Sequence, residues 1–359
     1  MREKAISLLQ ELTEAHAVPG HEDEVRAVFV DELEESGELS TDRSGSVFCD
    51  AGGDGPRVLL AGHMDEIGFL VQNITQDGFI QFVPVGGWWP HSLLAQRVEV
   101  RTRSGEKILG VVASRSTHQL TEAQRGQVMS IDQMFIDVGA ESRAWAMDEM
   151  GISLGDPIAP VSAFTPMSRD DYFMAKAFDN RVGMAGVIQA GLNLANSELP
   201  NRLVLCGTVQ EEVGLRGART AASFSKPDVA IVLEGPPADD LPGMSRADCQ
   251  GRLGAGVQIR VFDPTAIANP RLVEFVTDVA KSERINHQVT VRRSGGTDAG
   301  SFHLANEGIP SIVLGVPARY IHSHNAIIDV NDYLSMVQLV SALIPRLDDK
   351  AVDGFTHFL

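Results

Sequence analysis

The sequence predicts an α/β fold in which a mostly parallel sheet flanked by helices carries an inserted, small β-rich domain. Three observations lead to it. At the start of the chain and again through its second half, short apolar runs that stop at a polar or charged residue alternate with helix-period segments, the pattern of buried strands covered by helices. Between residues 69 and 163 this gives way to short alternating segments separated by Gly, Asp and Ser, which are hairpin signals. Finally, 359 residues exceed what one core usually organises, whereas domains of about 50 to 250 residues are ordinary. The expected division is residues 1–68 with 164–359 as one domain and 69–163 as the insert.

Residues 1–36 read as two helices, Glu3 to Ala15 and Glu22 to Glu35, separated by the breaker Val18-Pro19-Gly20. The run Val58-Leu59-Leu60-Ala61-Gly62, leading into His63, reads as a buried strand. Within the insert, Phe79 to Val83, Arg97 to Arg101 and Ile108 to Val112 carry strand alternation. A helix is expected from Asn180, then strands at Leu203 to Val209 and Val229 to Leu233. A helix near Leu272 to Ser282, a strand at Ser311 to Gly315 and a last helix near Asp332 to Leu347 complete the pattern.

Composition excludes several function classes. An apolar fraction of 43% with 22% charged residues belongs to a globular chain rather than a disordered one. No stretch approaches the roughly 20 apolar residues of a membrane span, and the N-terminus carries no apolar leader, so a cytoplasmic protein is expected. Three cysteines without a C-x-x-C pair argue against a disulfide framework or a thiolate zinc site, leaving any metal to His and carboxylate. A net charge of -18 opposes binding to nucleic acid. The same acidity serves ordinary solubility or the steering of cationic substrates.

The positions of polar residues relative to the strands carry the chemistry. Ligands of open α/β sheets bind beyond the carboxyl ends of the strands. There the sequence puts His63-Met64-Asp65-Glu66, Gln210-Glu211-Glu212, Glu234, and, past Pro317 and Arg319, His322. Asp179 precedes the helix at 180, where it serves equally as an N-cap, and His322 alone could be a structural hydrogen-bonding group. Adjacent carboxylates such as Glu211 and Glu212 repel one another unless cations neutralise them. His, Asp and Glu without Cys suit a catalytic Zn, Co or Mn site that keeps a place for water. In His63-x-Asp65 the carboxylate could hold the second imidazole nitrogen. The segment Gly295-Gly296-Thr297-Asp298 reads as either a turn or a substrate-contacting loop.

Taken together, Ala61-Gly62-His63-Met64-Asp65-Glu66-Ile67-Gly68, Ile136-Asp137-Val138-Gly139-Ala140, Ala177-Phe178-Asp179-Asn180-Arg181, Gln210-Glu211-Glu212-Val213-Gly214-Leu215-Arg216-Gly217-Ala218, Gly295 to Asp298 and Arg319-Tyr320-Ile321-His322-Ser323 resemble the M42 family of metallo-aminopeptidases over essentially the whole chain. The resemblance implies a zinc-peptidase-like catalytic domain and two divalent ions per subunit, Zn or Co with Mn as a further candidate. It implies Asp179 bridging both ions, His63 and Glu234 completing one and Glu212 and His322 the other. Glu211 would be the general base to a dimetal-activated water and Asp65 would orient His63. Many relatives carry Asp where this chain has Glu234, which keeps Asp239 and Asp240 as alternative ligands. The Arg-Tyr-Ile-His frame selects His322 over His324; His118 and His303 are expected in structural or surface roles. Thr297 and Asp298 are the candidate substrate contacts.

The resemblance also implies peptide substrates with a free N-terminus and a homododecamer built from dimers, with the insert contributing contacts around an enclosed chamber. Trp88-Trp89-Pro90 would serve such a contact or a small local core. Some members of the family have been labelled endoglucanases, but a glycosidase uses two carboxylates flanking the scissile bond and has no need of a His-bearing dimetal centre. The rival readings are a metal-dependent deacylase or carboxypeptidase on a related fold, and a non-catalytic metal-stabilised assembly.

Overall fold

The computed structural model describes residues 2–359. Its centre is a nine-stranded sheet in which Arg202–Thr208, Arg57–His63, Val229–Glu234 and Ser311–Gly315 lie side by side and parallel, as the alternating sequence pattern requires. The flanks turn antiparallel. The hairpin Glu38–Thr41 with Val47–Asp50 pairs against Arg202–Thr208, and Val257–Asp263 pairs against Ser311–Gly315. The central strands are apolar throughout because helices cover both faces: Val58, Leu60, Leu205, Ile231 and Leu314 face one core and Leu59, Ala61, Val232 and Val313 the other.

The helix Phe178–Leu194 crosses the back of the sheet and is buried on nearly every side, which accounts for its run of Gly and Ala. Contact is close where Gly62 meets Gly183. A Cβ on Gly62 would lie 2.9 Å from the Gly183 backbone, and one on Gly183 would lie 2.4 Å from the Leu233 carbonyl oxygen. This approach brings the start of the helix, with Asp179, beside the end of the Arg57–His63 strand.

Six strands, Gly68–Ile74, Ile80–Val85, Arg97–Arg101, Lys107–Ala113, Phe135–Asp137 and Pro157–Pro160, close into a barrel. Its interior is filled by Phe69, Ile80, Val98, Val100, Val112, Ile136 and Ile158. The two tryptophans after its second strand part company. Trp88 stacks on Phe69 and donates from Nε1 to the Gly68 carbonyl, whereas Trp89 is 66% exposed.

The sequence reading differs from the structure where local signals were weak. The last predicted helix runs only from Val330 to Leu343, because Pro345 lacks an N–H and its ring obstructs the preceding turn. The chain then makes a separate helix, Asp349–Thr356. The hairpin at 38–50, the helix Arg216–Ser225 and the strands Val257–Asp263 and His287–Val291 were not anticipated, since each is short or interrupted by charge. Among the described residues no helix is long and apolar enough to cross a membrane.

Candidate metal centre

Strand register builds the site. His63 pairs with Thr208 across one strand boundary and Glu234 with Gly315 across another, so four parallel strands end at one level. Beyond Thr208 the chain turns at Gln210, whose φ of 55 lies in the left-handed region, and presents Glu211 and Glu212. Asp179 lies two residues after Ala177 (φ 55) and has extended rather than helical backbone angles, so it projects from the helix start instead of capping it; its peptide to Asn180 is cis. His322 itself has a φ of 58, in the loop between Ala318–Arg319 and Ala326–Asp329. Left-handed backbone at Ala177, Gln210 and His322 persists where the surroundings over-determine it, and no sequence rule announces it.

The side chains converge. Asp179 faces His63 Nε2 with Oδ1 at 3.2 Å and His322 Nε2 with Oδ2 at 3.3 Å. Glu234 Oε1 is 3.4 Å from His63 Nε2, and Glu212 Oε1 is 3.4 Å from His322 Nε2. Glu211 stands back, its Oε2 3.9 Å from His63 Nε2. Asp65 is fully buried and its carboxylate accepts the backbone N–H groups of Glu211 and Glu212, both at 3.0 Å. His63 Nδ1 meets the Asp65 carbonyl at 3.0 Å and its carboxylate at 3.5 Å, so the nearer group holding that ring is main chain.

Charge explains what the cluster lacks. Burial works against protonation of His63, yet Glu211, Glu234, Asp179 and Asp65 hold its pKa well above the ordinary value. His322 behaves likewise: burial opposes, Asp179 and Glu212 prevail, and it is pushed up to about 11. Burial raises Glu211 well above the carboxylate range against the attraction of His63, with Glu212 and Glu234 raising it further. Four acids thus share two imidazoles in a site where unneutralised charge is costly.

A divalent cation fits that deficit. Ligand atoms about 2.0 to 2.1 Å from a tetrahedral zinc lie roughly 3.3 Å apart, close to the separations between these imidazole nitrogens and carboxylate oxygens. Glu212 Oε1 and Glu234 Oε2 are buried without a hydrogen-bond partner, as a ligand's free lone pairs would be. Two groups of potential ligand atoms, His63 with Glu211 and Glu234, and His63 with Asp179 and Glu212, each lie within 4.8 Å of one another.

The other candidates lie elsewhere. Asp239 is paired with Arg292 at 2.8 Å and Asp240 with Arg319 at 2.6 Å, so neither is free to replace Glu234 beside His63. Thr297 lines the cavity in front of the cluster, but Asp298 does not: its carboxylate lies 2.5 Å from the Thr208 hydroxyl, wholly buried. His118 is exposed, and His303 Nε2 meets the Thr265 carbonyl. His324 is buried, which pushes it down to about 4, and its Nε2 donates to the Arg97 carbonyl.

Three features escaped sequence reading. The cavity of about 540 Å³ is lined by Arg219 and Arg260 as well as by the acids. Glu66 is locked between Lys176 (2.6 Å) and Arg181 (2.9 Å) beneath the His63 turn. The lone Lys176 within the apolar run Tyr172 to Phe178 was the available signal for that ion cluster. The Gly87 carbonyl, from the barrel, meets His322 Nδ1 at 2.9 Å, a main-chain contact that no side-chain pattern announces.

The chain resembles known proteins over nearly its whole length. A family model described as M42 glutamyl aminopeptidase matches residues 45–339. The chain is 37% identical to the glutamyl aminopeptidase of Lactococcus lactis, the match covering 97% of this chain and 98% of that one. It is similar to the TET aminopeptidase of a marine-sediment Thaumarchaeota archaeon, with 41% identity, a TM-score of 0.95, and coverage of 99% and 100% of the two chains. It also resembles PhTET1-12s, described as a dodecamer, at 29% identity and a TM-score of 0.84, over 95% of this chain and 99% of that one.

Proposed function

Because the chain belongs to the M42 glutamyl aminopeptidase family, we propose that it hydrolyses N-terminal residues from peptides at a two-cation centre. The observation that carries this reading is the placement of Asp179, one oxygen toward His63 and the other toward His322. His63, Asp179 and Glu234 would hold one divalent ion and Asp179, Glu212 and His322 the other, zinc or cobalt first and manganese also compatible. Such ions supply positive charge that lowers the pKa of water and polarises a carbonyl.

The chain's own groups do the rest. Glu211, outside the ligand set and open to the cavity, receives the proton of the attacking water on its carboxylate and passes it to the leaving amine nitrogen. Asp65, gripping the amides of residues 211 and 212, fixes base and ligand relative to one another. Metal analysis of active protein should approach two equivalents. Turnover should require a free α-amine, so a peptide and its N-acetylated copy separate this reading from a deacylase or carboxypeptidase; equal turnover of both copies sinks it.

The cavity favours an acidic N-terminal side chain. Arg219 and Arg260 line it; Arg260 is paired with Asp263 at 3.2 Å, and its buried Nε has no hydrogen-bond partner. Glutamyl arylamide should therefore be cleaved faster than the leucyl and lysyl analogues. Arg219→Glu should lower the glutamyl-to-lysyl ratio of kcat/KM by at least about tenfold. An unchanged ratio would move the specificity pocket elsewhere.

Self-association is the third element of the reading, supported by the dodecameric relative and by the exposed Trp89 on the barrel. Light scattering should give a multimer; a fully active monomer at micromolar concentration rules out a self-enclosed particle.

A further inference from the structure

The two imidazoles of the centre are held by different parts of the molecule. His63 ends a central strand, and its Nδ1 is held by the Asp65 carbonyl two residues on. His322 sits in a loop where Tyr320 and His322 both adopt left-handed backbone, at φ 61 and 58. Within the loop Ser323 ties the chain to itself, donating to the Tyr320 carbonyl at 2.7 Å and accepting from the Asn325 N–H at 3.2 Å. Arg319, just before the loop, is paired with Asp240 at 2.6 Å and Ile321 packs against the main core, whereas the anchors on His322 Nδ1, His324 and Asn325 come from the barrel segment or the residues just after it. The Gly87 carbonyl meets His322 Nδ1 at 2.9 Å. The Arg97 carbonyl accepts from His324 Nε2 at 3.0 Å, and the Trp88 ring packs 5.6 Å from that of His324. Ser162 Oγ donates to Asn325 Oδ1 at 2.9 Å.

Resting on the two-cation reading, we propose that the inserted barrel is a positioning element for one of the two cation subsites, the one completed by His322, and leaves the His63 subsite to the central sheet. Donation of the Nδ1 proton to Gly87 fixes the tautomer and turns the Nε2 lone pair toward Asp179 and Glu212. His324 and Trp88 then hold the loop at the depth at which that bond forms. Trp88 is in turn stacked on Phe69 of the barrel core, so the anchor is part of a packed body rather than a surface contact. The carbonyl belongs to a glycine because space there is short: a Cβ on Gly87 would stand 3.2 Å from His322 Nδ1.

The test is a Co²⁺ titration of the metal-free full-length protein, followed by calorimetry and by visible absorption, for wild type, Gly87→Ala, His324→Leu and His324→Gln. Wild type should take up two equivalents. Gly87→Ala and His324→Leu should keep one site at wild-type affinity and weaken the other by about 10 to 100-fold, the usual cost of losing a group that orients a ligand. His324→Gln, whose amide still donates to Arg97, should recover most of that loss. If His324→Leu does not fold, Gly87→Ala decides by itself. Two sites of wild-type affinity in Gly87→Ala and His324→Leu overturn the proposal, and so does equal weakening of both sites. A wild-type protein that takes up a single Co²⁺ removes the two-cation reading and the proposal with it, an outcome distinct from the variants failing alone.

Discussion

Replacing Glu211 with Gln is expected to lower kcat by at least about 10² to 10⁴-fold, the usual contribution of general-base catalysis, while leaving cation content unchanged. The substitution keeps side-chain shape and removes the site that accepts a proton. The backbone amide of residue 211 remains bonded to Asp65, so the loop has no reason to move. Its neighbour supplies the control. Glu212 Oε1 is 3.4 Å from His322 Nε2, whereas Glu211 makes its nearest imidazole approach at 3.9 Å, to His63. Glu212→Gln should therefore lose cation along with activity and regain part of it when metal is added. Measuring metal content and kcat for both variants on one free-amine peptide separates the roles. Near-normal turnover in Glu211→Gln puts the base elsewhere; metal loss equal to that of Glu212→Gln means that the two neighbours have been exchanged.

The parallel strands and the residues at their ends were legible because burial on both faces forces an uninterrupted apolar run. A His or Glu at the end of such a run is conspicuous, which is how His63, Glu212 and Glu234 declare themselves. Asp179 was half legible: its position before a helix was clear, but an N-cap and a projecting acid share one sequence, and extended angles at 179 decide between them. For Asp298 the sequence left two readings, since Gly-Gly-Thr-Asp suits a plain turn as well as a substrate-contacting loop, and the buried carboxylate lies against the Thr208 hydroxyl. What stayed hidden was long-range and carried by main chain or by charge in unexpected places. Gly87 acts through a carbonyl 235 residues from His322, and Arg260 lies in a strand whose charge obscured it.

Glu66→Ala should destabilise the metal-free protein by about 3 to 5 kcal/mol, the usual result of removing one member of a buried ion cluster. Lys176 and Arg181 are buried on all sides and both point at this one carboxylate. Arg181 keeps the Met64 carbonyl and Lys176 the Ala15 carbonyl, but neither of those bonds neutralises a charge. The triple replacement Glu66→Leu, Lys176→Met, Arg181→Met should recover much of the loss, because the cost lies in stranded charge rather than in missing attraction. Acid separates the two contributions further. Burial raises the Glu66 pKa, but Lys176 and Arg181 outweigh it and hold the group below its ordinary value of 4.5. A depressed carboxylate contributes its full stability above that ordinary value and loses it as pH falls through the lower, folded-state value. The gap between wild type and Glu66→Ala should accordingly be fully present at neutral pH and narrow below about pH 4.5. Denaturant titrations at pH 7 and in acid test both halves: equal stability of wild type and Glu66→Ala at pH 7 would mean that Lys176 and Arg181 are neutralised by something other than Glu66.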